Sequence, residues 1–317
     1  MDPIASIHPE KDTSLAFMLE AQLRGWKIVY MEMADLFLRD GRAEARMRYV
    51  KVFNDLNKWF EFTDEEYGSL GDLDVILMRK DPPFDIEFIM ATYILERAKT
   101  EGAVVVNNPR SLRDANEKIF TAWFPQCCPP SLLTRSVTAV QTFLETHGKI
   151  VVKPTDKMGG KSVYVIAKGD PNTNVILDEI TGSGQRYIQA QKYIPEIETS
   201  GDKRIILIDG IPVDYGIARI PSEGDHRGNL AAGAKAKGFE LTERDRWICN
   251  QIGPALKERG LLFTGIDVIG DFLTEINVTS PTCIREIDKI YNTNIAAMFF
   301  DTLQNILQEK QPGKKSK

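Results

Sequence analysis

Histidine is scarce in this chain: His8, His147 and His226 are the only three in 317 residues, and each lies in a polar segment. That scarcity argues against a multi-histidine zinc site or a histidine-based catalytic triad. Cysteine is nearly as thin. Cys127, Cys128, Cys249 and Cys283 show no paired CxxC spacing, and the adjacent Cys127 and Cys128 are poorly placed to bridge each other. They read as reduced thiols of a cytosolic protein. No run approaches the roughly 20 apolar residues that span a bilayer. The opening MDPIASIHPEKD brings charge in before any apolar core, unlike a signal peptide. The expectation is a cytoplasmic protein with no membrane partner. Excess positive charge is also missing: 40 Lys and Arg against 45 Asp and Glu give a formal net charge of −5, which disfavours a nucleic-acid partner. Cations can still be gathered locally around an anionic ligand.

What is present is ordinary globular material, 43% hydrophobic and 27% charged, in a length that suits two or three domains of roughly 100–200 residues. Apolar residues at helical spacing (Leu15, Met18, Leu19, Leu23) predict a helix stopped by Gly25, followed by the strand WKIVYM. A charged, aromatic stretch to about Tyr67 reads as a hairpin or irregular insertion. The apolar run 74–78, a helix over 85–100 and the strand AVVVN then complete a strand–helix alternation that points to a parallel sheet. Past Asn108 the pattern changes. A helix is predicted near 116–124, then the linker PQCCPPS, then short strands over 149–153, 162–166, 187–191, 204–208 and 212–220, several joined by glycine turns. A helix over 243–259, a strand pair over 263–278 and a helix over 294–308 close the chain, and KQPGKKSK reads as a frayed tail.

The segment GIDVIGDFLTEINVTSPTCIRE carries the most chemistry. Side chains alternate along a strand, so Glu275 and Asn277 share one face while Ile276 and Val278 point into a core. With Asp267 on the preceding strand they offer three hard oxygen donors, a set that suits Mg²⁺ completed by phosphates. The geometry makes a demand. A two-residue turn at Gly270-Asp271 would set Asp267 against Thr274, whereas a three-residue connection over 270–272, or an equivalent bulge, sets it against Glu275; the latter is expected. The alternative is a surface hairpin with solvated polar residues.

A second constellation is the loop KPTDKMGGKS from Lys153 to Ser162. Gly159 and Gly160 let backbone amides approach an anion, and three lysines surround them. It is not the Walker loop, which leads into a helix, and an exposed basic hairpin is the competing reading. Lys118 alone would be a solvated helix lysine. Arg204, Arg219, Arg227 and Arg285 could clamp a carboxylate or phosphate, although each taken singly reads as surface. The Gly/Ala-rich stretch 222–238 is long enough to serve as a lid.

In this order the parts resemble the ATP-grasp superfamily: Lys118 before a linker, Lys153 before a glycine loop, the strand QKYIP, and an acid with an ExN strand. More narrowly the chain resembles the bacterial glutathione synthetases. The stretches MDPI, VILMRKDPPFD, NNPRSLRDANEKIFTAWF, VVKPTDKMGG, GDKRI, ARIP, RGNLAAG, IGPALKERG and TEINVTSPTCIREI carry that resemblance from the first residue to about Ile287. It implies an α/β (α+β) fold, an ATP-grasp unit preceded by a smaller parallel-sheet domain. The boundaries expected are 1–115 for the N-terminal domain, 116–190 for the central lid subdomain, 191–310 for the catalytic subdomain and 311–317 for the tail.

The resemblance further implies that ATP phosphorylates the cysteinyl carboxylate of γ-glutamylcysteine and that glycine attacks the acyl phosphate, giving glutathione, ADP and phosphate. Lys118, Lys153, Gly159 and Gly160 would hold the nucleotide phosphates. Gln191, Tyr193 and Ile194 would line the adenine pocket, with Asp202 near the ribose. Asp267, Glu275 and Asn277 would hold Mg²⁺, with Mn²⁺ as a substitute. Arg204, Arg219 and Asn229 would stabilise transferring charge. Arg227, Ser280, Pro281, Thr282 and Arg285 would contact substrate. A homo-oligomer, a tetramer by resemblance, is implied as well.

Three departures stand out. The family carries a short apolar strand before Met-Asp-Pro, so a chain starting at that methionine is expected to lack one strand of the N-terminal sheet. Lys157 and Lys161 stand in the glycine loop where the family has Gly and a small residue, and the lid reads AGAKAKG rather than AGGRG. Two rivals remain. One is another ATP-grasp ligase, such as a D-Ala-D-Ala or glutamate-tagging enzyme, against which RKDPPFD and NVTSPTCIRE speak. The other is a non-catalytic nucleotide-binding relative, against which the full set of metal donors and lysines speaks.

Overall fold

Asp12 opens the first helix, its side chain accepting from the Leu15 amide at the start of α1 (Thr13–Leu23) and satisfying a donor that a helix start leaves unpaired. A computed structural model of the chain describes residues 1–81, 83–158, 160–221 and 235–310. After α1 come β1 (Val29–Tyr30), β2 (Leu36–Arg39), β3 (Arg42–Val52) and β4 (Phe60–Ser69). The charged, aromatic stretch is therefore a hairpin. Along β3, buried Ala43, Ala45 and Met47 alternate with Arg42, Glu44, Arg46 and Arg48, the period of a strand with one buried face. β1, β2 and β4 all pair antiparallel with β3. WKIVYM thus contributes only Val29–Tyr30, and to this antiparallel sheet rather than to a parallel one. The parallel pairing is between β5 (Val75–Leu77) and β6 (Val104–Val106), linked by α2 (Ile86–Glu101). Asn108 caps the short α3 (Pro109–Asp114), with proline in its first turn.

The predicted helix over 116–124 does not form. The Asn116 side chain accepts from the Lys118 and Ile119 amides, each at 3.1 Å, a local bond that competes with helix. Only 3-10 turns follow, at Phe120–Trp123 and Pro125–Cys127, and Pro125 prevents continuation. The central unit comprises β7 (Ser131–Thr134), α4 (Val137–His147), β8 (Lys149–Pro154), β9 (Tyr164–Ala167), α5 (Thr173–Thr181) and β10 (Ile188–Lys192). Its sheet is antiparallel in the order β7-β10-β8-β9. Ile150, Val152, Ile166, Ile188 and Ala190 pack on Val140, Leu144, Leu177 and Ile180 of α4 and α5. Each large aliphatic side chain so buried contributes about 1.5–3 kcal/mol.

The last unit holds β11 (Asp202–Ile208), β12 (Ile211–Ile220), β13 (Lys235–Glu240), α6 (Glu243–Glu258), β14 (Phe263–Ile269), β15 (Phe272–Asn277), α7 (Ile284–Tyr291) and α8 (Ile295–Lys310). The sheet order is β13-β12-β11-β14-β15. The stretch expected to be loop as far as Gly238 thus ends in a strand, because Lys235–Glu240 pairs antiparallel with β12. Helices cover one face of this sheet and half of the other. Ile205, Leu207, Ile266 and Ile276 share a core with Ile248, Ile252 and Leu256 of α6. On the other side Ile206, Ile208, Ile217 and Phe263 join Phe17 of α1, Ile284 and Ile287 of α7, and Phe299 of α8. Helices from both ends of the chain therefore meet on one half of a single face.

Candidate active site

The uncovered half of that face is polar, and strand alternation explains why. Asp202 and Arg204 precede Ile206 and Ile208 on the same side of β11. Arg219 shares a side with Ile217, and Asp267 with Phe263. Asp202, Arg204, Arg219, Asp267, Glu275 and Asn277 all line one cleft. Its opposite wall is the uncovered face of the central sheet, contributed by Val151, Lys153, Val165 and Gln191, whose strand neighbours are buried against α4 and α5. The site is thus the gap between the polar half-face of one sheet and the mixed valine, lysine and glutamine face of the other.

Asp267 stands directly opposite Glu275, as required, but a bulge rather than a longer turn achieves it. Ile269 pairs with Phe272, so the turn is the two-residue Gly270-Asp271, with Gly270 at φ +55°. Val268 pairs with Leu273 and Asp267 with Glu275, leaving Thr274 as the extra residue. The Thr274 hydroxyl donates to the Asp267 carbonyl at 3.0 Å and ties the bulge down.

Asp267 is buried and clamped. Arg204 donates through Nε to its Oδ1 at 2.5 Å and through Nη2 to its Oδ2 at 3.0 Å, and Arg219 Nη2 lies 2.9 Å from the same Oδ2. Burial alone would raise its carboxyl, but the two guanidiniums outweigh burial and hold it well below the usual carboxylate range. Arg219 also bonds Asp202 across the β11–β12 pair. Burial pushes Asp202 up to about 7; Arg219 opposes this, and the neighbouring Asp267 and Glu275 add to it.

The two lysines converge on Glu275. Lys118 Nζ lies 3.8 Å and Lys153 Nζ 3.6 Å from its carboxylate, and both lysines are buried. Lys118 also donates to Glu117 and, at 2.7 Å, to the Lys157 carbonyl in the glycine loop. Burial disfavours its ammonium, but Glu275 and Glu117 more than compensate and lift it above the ordinary lysine value. Along the cleft, Gln191 donates to Ser131 at 3.1 Å. Tyr193 and Ile194 are buried, with the Lys149 ammonium 3.7 Å from the Tyr193 ring centre. Gly160 lines the cleft with φ +71°. Gly159, Arg227 and Asn229 lie outside the described residues.

Ser280, Pro281 and Thr282 line the mouth, and Arg79 holds them from behind. Its Nη2 donates to the Pro281 carbonyl at 2.9 Å and its Nε to Ser14 at 3.2 Å. The guanidinium lies 5.5 and 5.8 Å from the rings of Phe17 and Phe263. Burial lowers it to about 10. Arg285 is placed elsewhere: it donates to Asn54 at 2.6 Å and borders a separate groove beside α1. Residues of the site that the sequence reading does not anticipate include Glu117, Arg79, Asp81 and Thr274. The first three sit inside stretches already singled out, next to Lys118 or within RKDPPFD. For Thr274 the signal was the requirement that Asp267 and Glu275 share a face.

Glu275 and Asn277 fit a hard divalent cation, beside an Asp267 whose two oxygens already accept from Arg204 and Arg219. Among the described residues Glu275 makes only the two long ion pairs, so its oxygens keep coordinating capacity. Asn277 lines the cleft with its buried Nδ2 unpartnered, and rotating the amide presents its oxygen instead.

Residues 117–292 match the family model for the prokaryotic glutathione synthetase ATP-grasp domain, and residues 1–113 match the model for the N-terminal domain of the same synthetases. The chain belongs to the prokaryotic glutathione synthetase family. The glutathione synthetase of Pseudomonas putida is 55% identical over 98% of both chains, and that of Escherichia coli is 54% identical over the same shares. Among solved structures, the ATP-grasp ligase PsnB bound to its minimal precursor aligns with a TM-score of 0.60 at 16% identity, over 92% of this chain and 93% of its own. D-alanyl-alanine synthetase A of Vibrio cholerae aligns with a TM-score of 0.56 at 12% identity, over 93% and 94%. At those identities the likeness is one of fold, and it bears out the mixed α/β ATP-grasp architecture. As a member of its family the enzyme is an ATP-using ligase that forms a C–N bond.

Proposed function

We propose that the cleft between the two sheets carries out the ligation in the following way. The enzyme joins γ-glutamylcysteine to glycine with ATP, through an acyl phosphate, giving glutathione, ADP and phosphate. Lys118, Lys153 and the Gly160 loop hold the ATP phosphates, Gln191, Tyr193 and Ile194 receive the base, and Asp202 stands toward the ribose. Asp267, Glu275 and Asn277 would hold Mg²⁺, or Mn²⁺ in its place; such an ion neutralises phosphate charge and orients the transferring group when bound. Arg204 and Arg219, fixed by Asp267 and Asp202, face the phosphoryl oxygens and the oxyanion that forms when glycine attacks. Rigid guanidiniums aimed at developing charge need no reorganisation during the step. Ser280, Pro281 and Thr282 orient the dipeptide carboxylate toward the nucleotide. Asn229 and Arg227 would act from the lid.

One observation carries this reading: Glu275 stands opposite Asp267 with the Lys118 and Lys153 ammonium groups 3.8 and 3.6 Å away. Acid donors and phosphate-side cations therefore share one point. The test is purified protein with ATP, Mg²⁺, γ-glutamylcysteine and glycine, scored for glutathione and phosphate. Glycine-dependent release of both is expected; folded protein that releases neither would overturn the reading. The same reading takes the enzyme to be a cytoplasmic homotetramer, which light scattering checks.

A further inference from the structure

The tripeptide Asn116–Glu117–Lys118 is bonded to β10, to β15 and to the residue that follows β8, at the phosphate and acid end of the cleft. The Asn116 Nδ2 donates to the Thr155 carbonyl at 2.9 Å, two residues beyond Lys153. Its Oδ1 meanwhile accepts from the Lys118 and Ile119 amides at 3.1 Å. The Glu117 carbonyl accepts from the Ile276 amide at 2.8 Å, between Glu275 and Asn277. The Lys118 carbonyl accepts from Gln189 Nε2 at 3.2 Å, and Gln189 is the register partner of Lys153. Lys118 arrives on an irregular turn, Lys153 on a strand of the central sheet. Only side-chain and carbonyl bonds of this kind can hold one against the other.

We infer that Asn116 is a positioning residue for nucleotide binding: its one amide group sets the separation of Lys118 and Lys153 and thereby the fit of the phosphate chain. The oxygen end shapes the turn that presents Lys118, and the nitrogen end fastens that turn to the backbone leaving Lys153. Both ends are needed at once, and no other side chain of the tripeptide can supply a donor and an acceptor together. The inference rests on the reading that both lysines hold phosphate.

Three variants test it: Asn116→Ser, Asn116→Ala and Lys118→Met. Serine keeps an acceptor for the turn amides but is too short to reach the Thr155 carbonyl. In Asn116→Ser we expect the melting temperature to stay near that of the parent. The dissociation constant of a non-hydrolysable ATP analogue and the KM for ATP should both rise about tenfold, since misplacement of a binding group by ~1 Å can cost up to ~100-fold. The KM values for γ-glutamylcysteine and glycine should stay within about twofold. Asn116→Ala should show the same selectivity with a lower melting temperature; if it does not fold, the serine variant decides. Unchanged analogue binding in Asn116→Ser overturns the inference. So does a rise in all three KM values together with a lost melting temperature, which marks a general structural role. Lys118→Met separates the two claims. If it weakens analogue binding while Asn116→Ser does not, only the positioning role is lost. If it leaves binding unchanged, the lysine reading fails and the inference fails with it.

Discussion

Asp267 and Glu275 face one another across β14 and β15 because Thr274 is an extra residue on one strand only. Without that bulge the two-residue turn would pair Asp267 with Thr274 and swing Glu275 toward the α6 core, since a one-residue slip reverses every side chain. Glu275 is nevertheless not part of the packing. Its side chain keeps 23% exposure and makes only the two long ion pairs among the described residues. Glu275→Gln keeps the shape of the side chain and leaves Lys118 paired with Glu117, so the fold should persist with a loss of stability below the roughly 3–5 kcal/mol of breaking a fully buried pair. Turnover should fall by more than about 100-fold, the upper range for losing even an outer partner of a metal site. Glutathione formation at saturating substrates, alongside thermal unfolding, checks this. An unfolded variant, or one within tenfold of the parent rate, would count against the metal assignment.

Asp267 should behave differently although it faces the same cleft. It is buried and is the shared partner of Arg204 and Arg219. Replacing it by Asn leaves two buried guanidiniums short of one negative charge, and breaking a buried pair in this way costs about 3–5 kcal/mol. Asp267→Asn should thus lose both activity and stability, read as a lower denaturant midpoint at unchanged slope. A parent-like midpoint would mean that Asp202 alone neutralises both arginines.

How far such a site can be read from sequence depends on the period of its elements. The face shared by Glu275 and Asn277 follows from strand alternation, and the demand that Asp267 join them was a correct constraint. Of the two devices that satisfy it, a longer turn and a bulge, the chain uses the bulge at Thr274, and strand alternation alone does not choose between them. Residues 116–124 look helical because Ile119, Phe120, Trp123 and Phe124 recur suitably. The Asn116 side chain and Pro125 override that signal. Val29–Tyr30 reads as one more strand of a parallel sheet, and only the tertiary arrangement sends it to β3. Arg285 looks like a site arginine by its place in the motif, yet its position on α7 carries it to Asn54. Glu117 and Arg79 were passed over because a charged residue in a helix-like or loop-like stretch carries no burial signal of its own.

Arg79 links the two ends of the chain at the mouth of the cleft, reaching Ser14 and the Pro281 carbonyl from a buried position between two phenylalanines. Its bond to Pro281 fixes the segment proposed to hold the dipeptide. A hydrogen bond from a charged donor is worth about 1.5–3 kcal/mol, which is roughly 10–100-fold in binding. Arg79→Met keeps the apolar stem between the rings and removes both donors. The KM for γ-glutamylcysteine should rise by about tenfold or more, while the affinity for ATP, held at the far lysines, stays as it was. Equal losses for both substrates would show that Arg79 supports the fold as a whole rather than the Ser280–Thr282 segment.

Asp202 gives the cleft a pH dependence of definite sign. Burial raises its carboxyl from 3.8 to about 7; Arg219 works against the rise, and Asp267 and Glu275 favour it. The folded state then keeps a proton that the unfolded chain releases near pH 4. Stability from this group is fully present below about pH 4 and is lost as pH climbs toward 7, by at most about 1.4 kcal/mol per pH unit for one proton. The ligand-free enzyme should thus lose stability across that window relative to Asp202→Asn, which cannot titrate and keeps an oxygen to accept from Arg219. Urea unfolding of both proteins at intervals from pH 4 to 8 isolates the difference. Parallel curves would show that Arg219 holds Asp202 ionised throughout; a difference of opposite slope would show that the pairing outweighs burial.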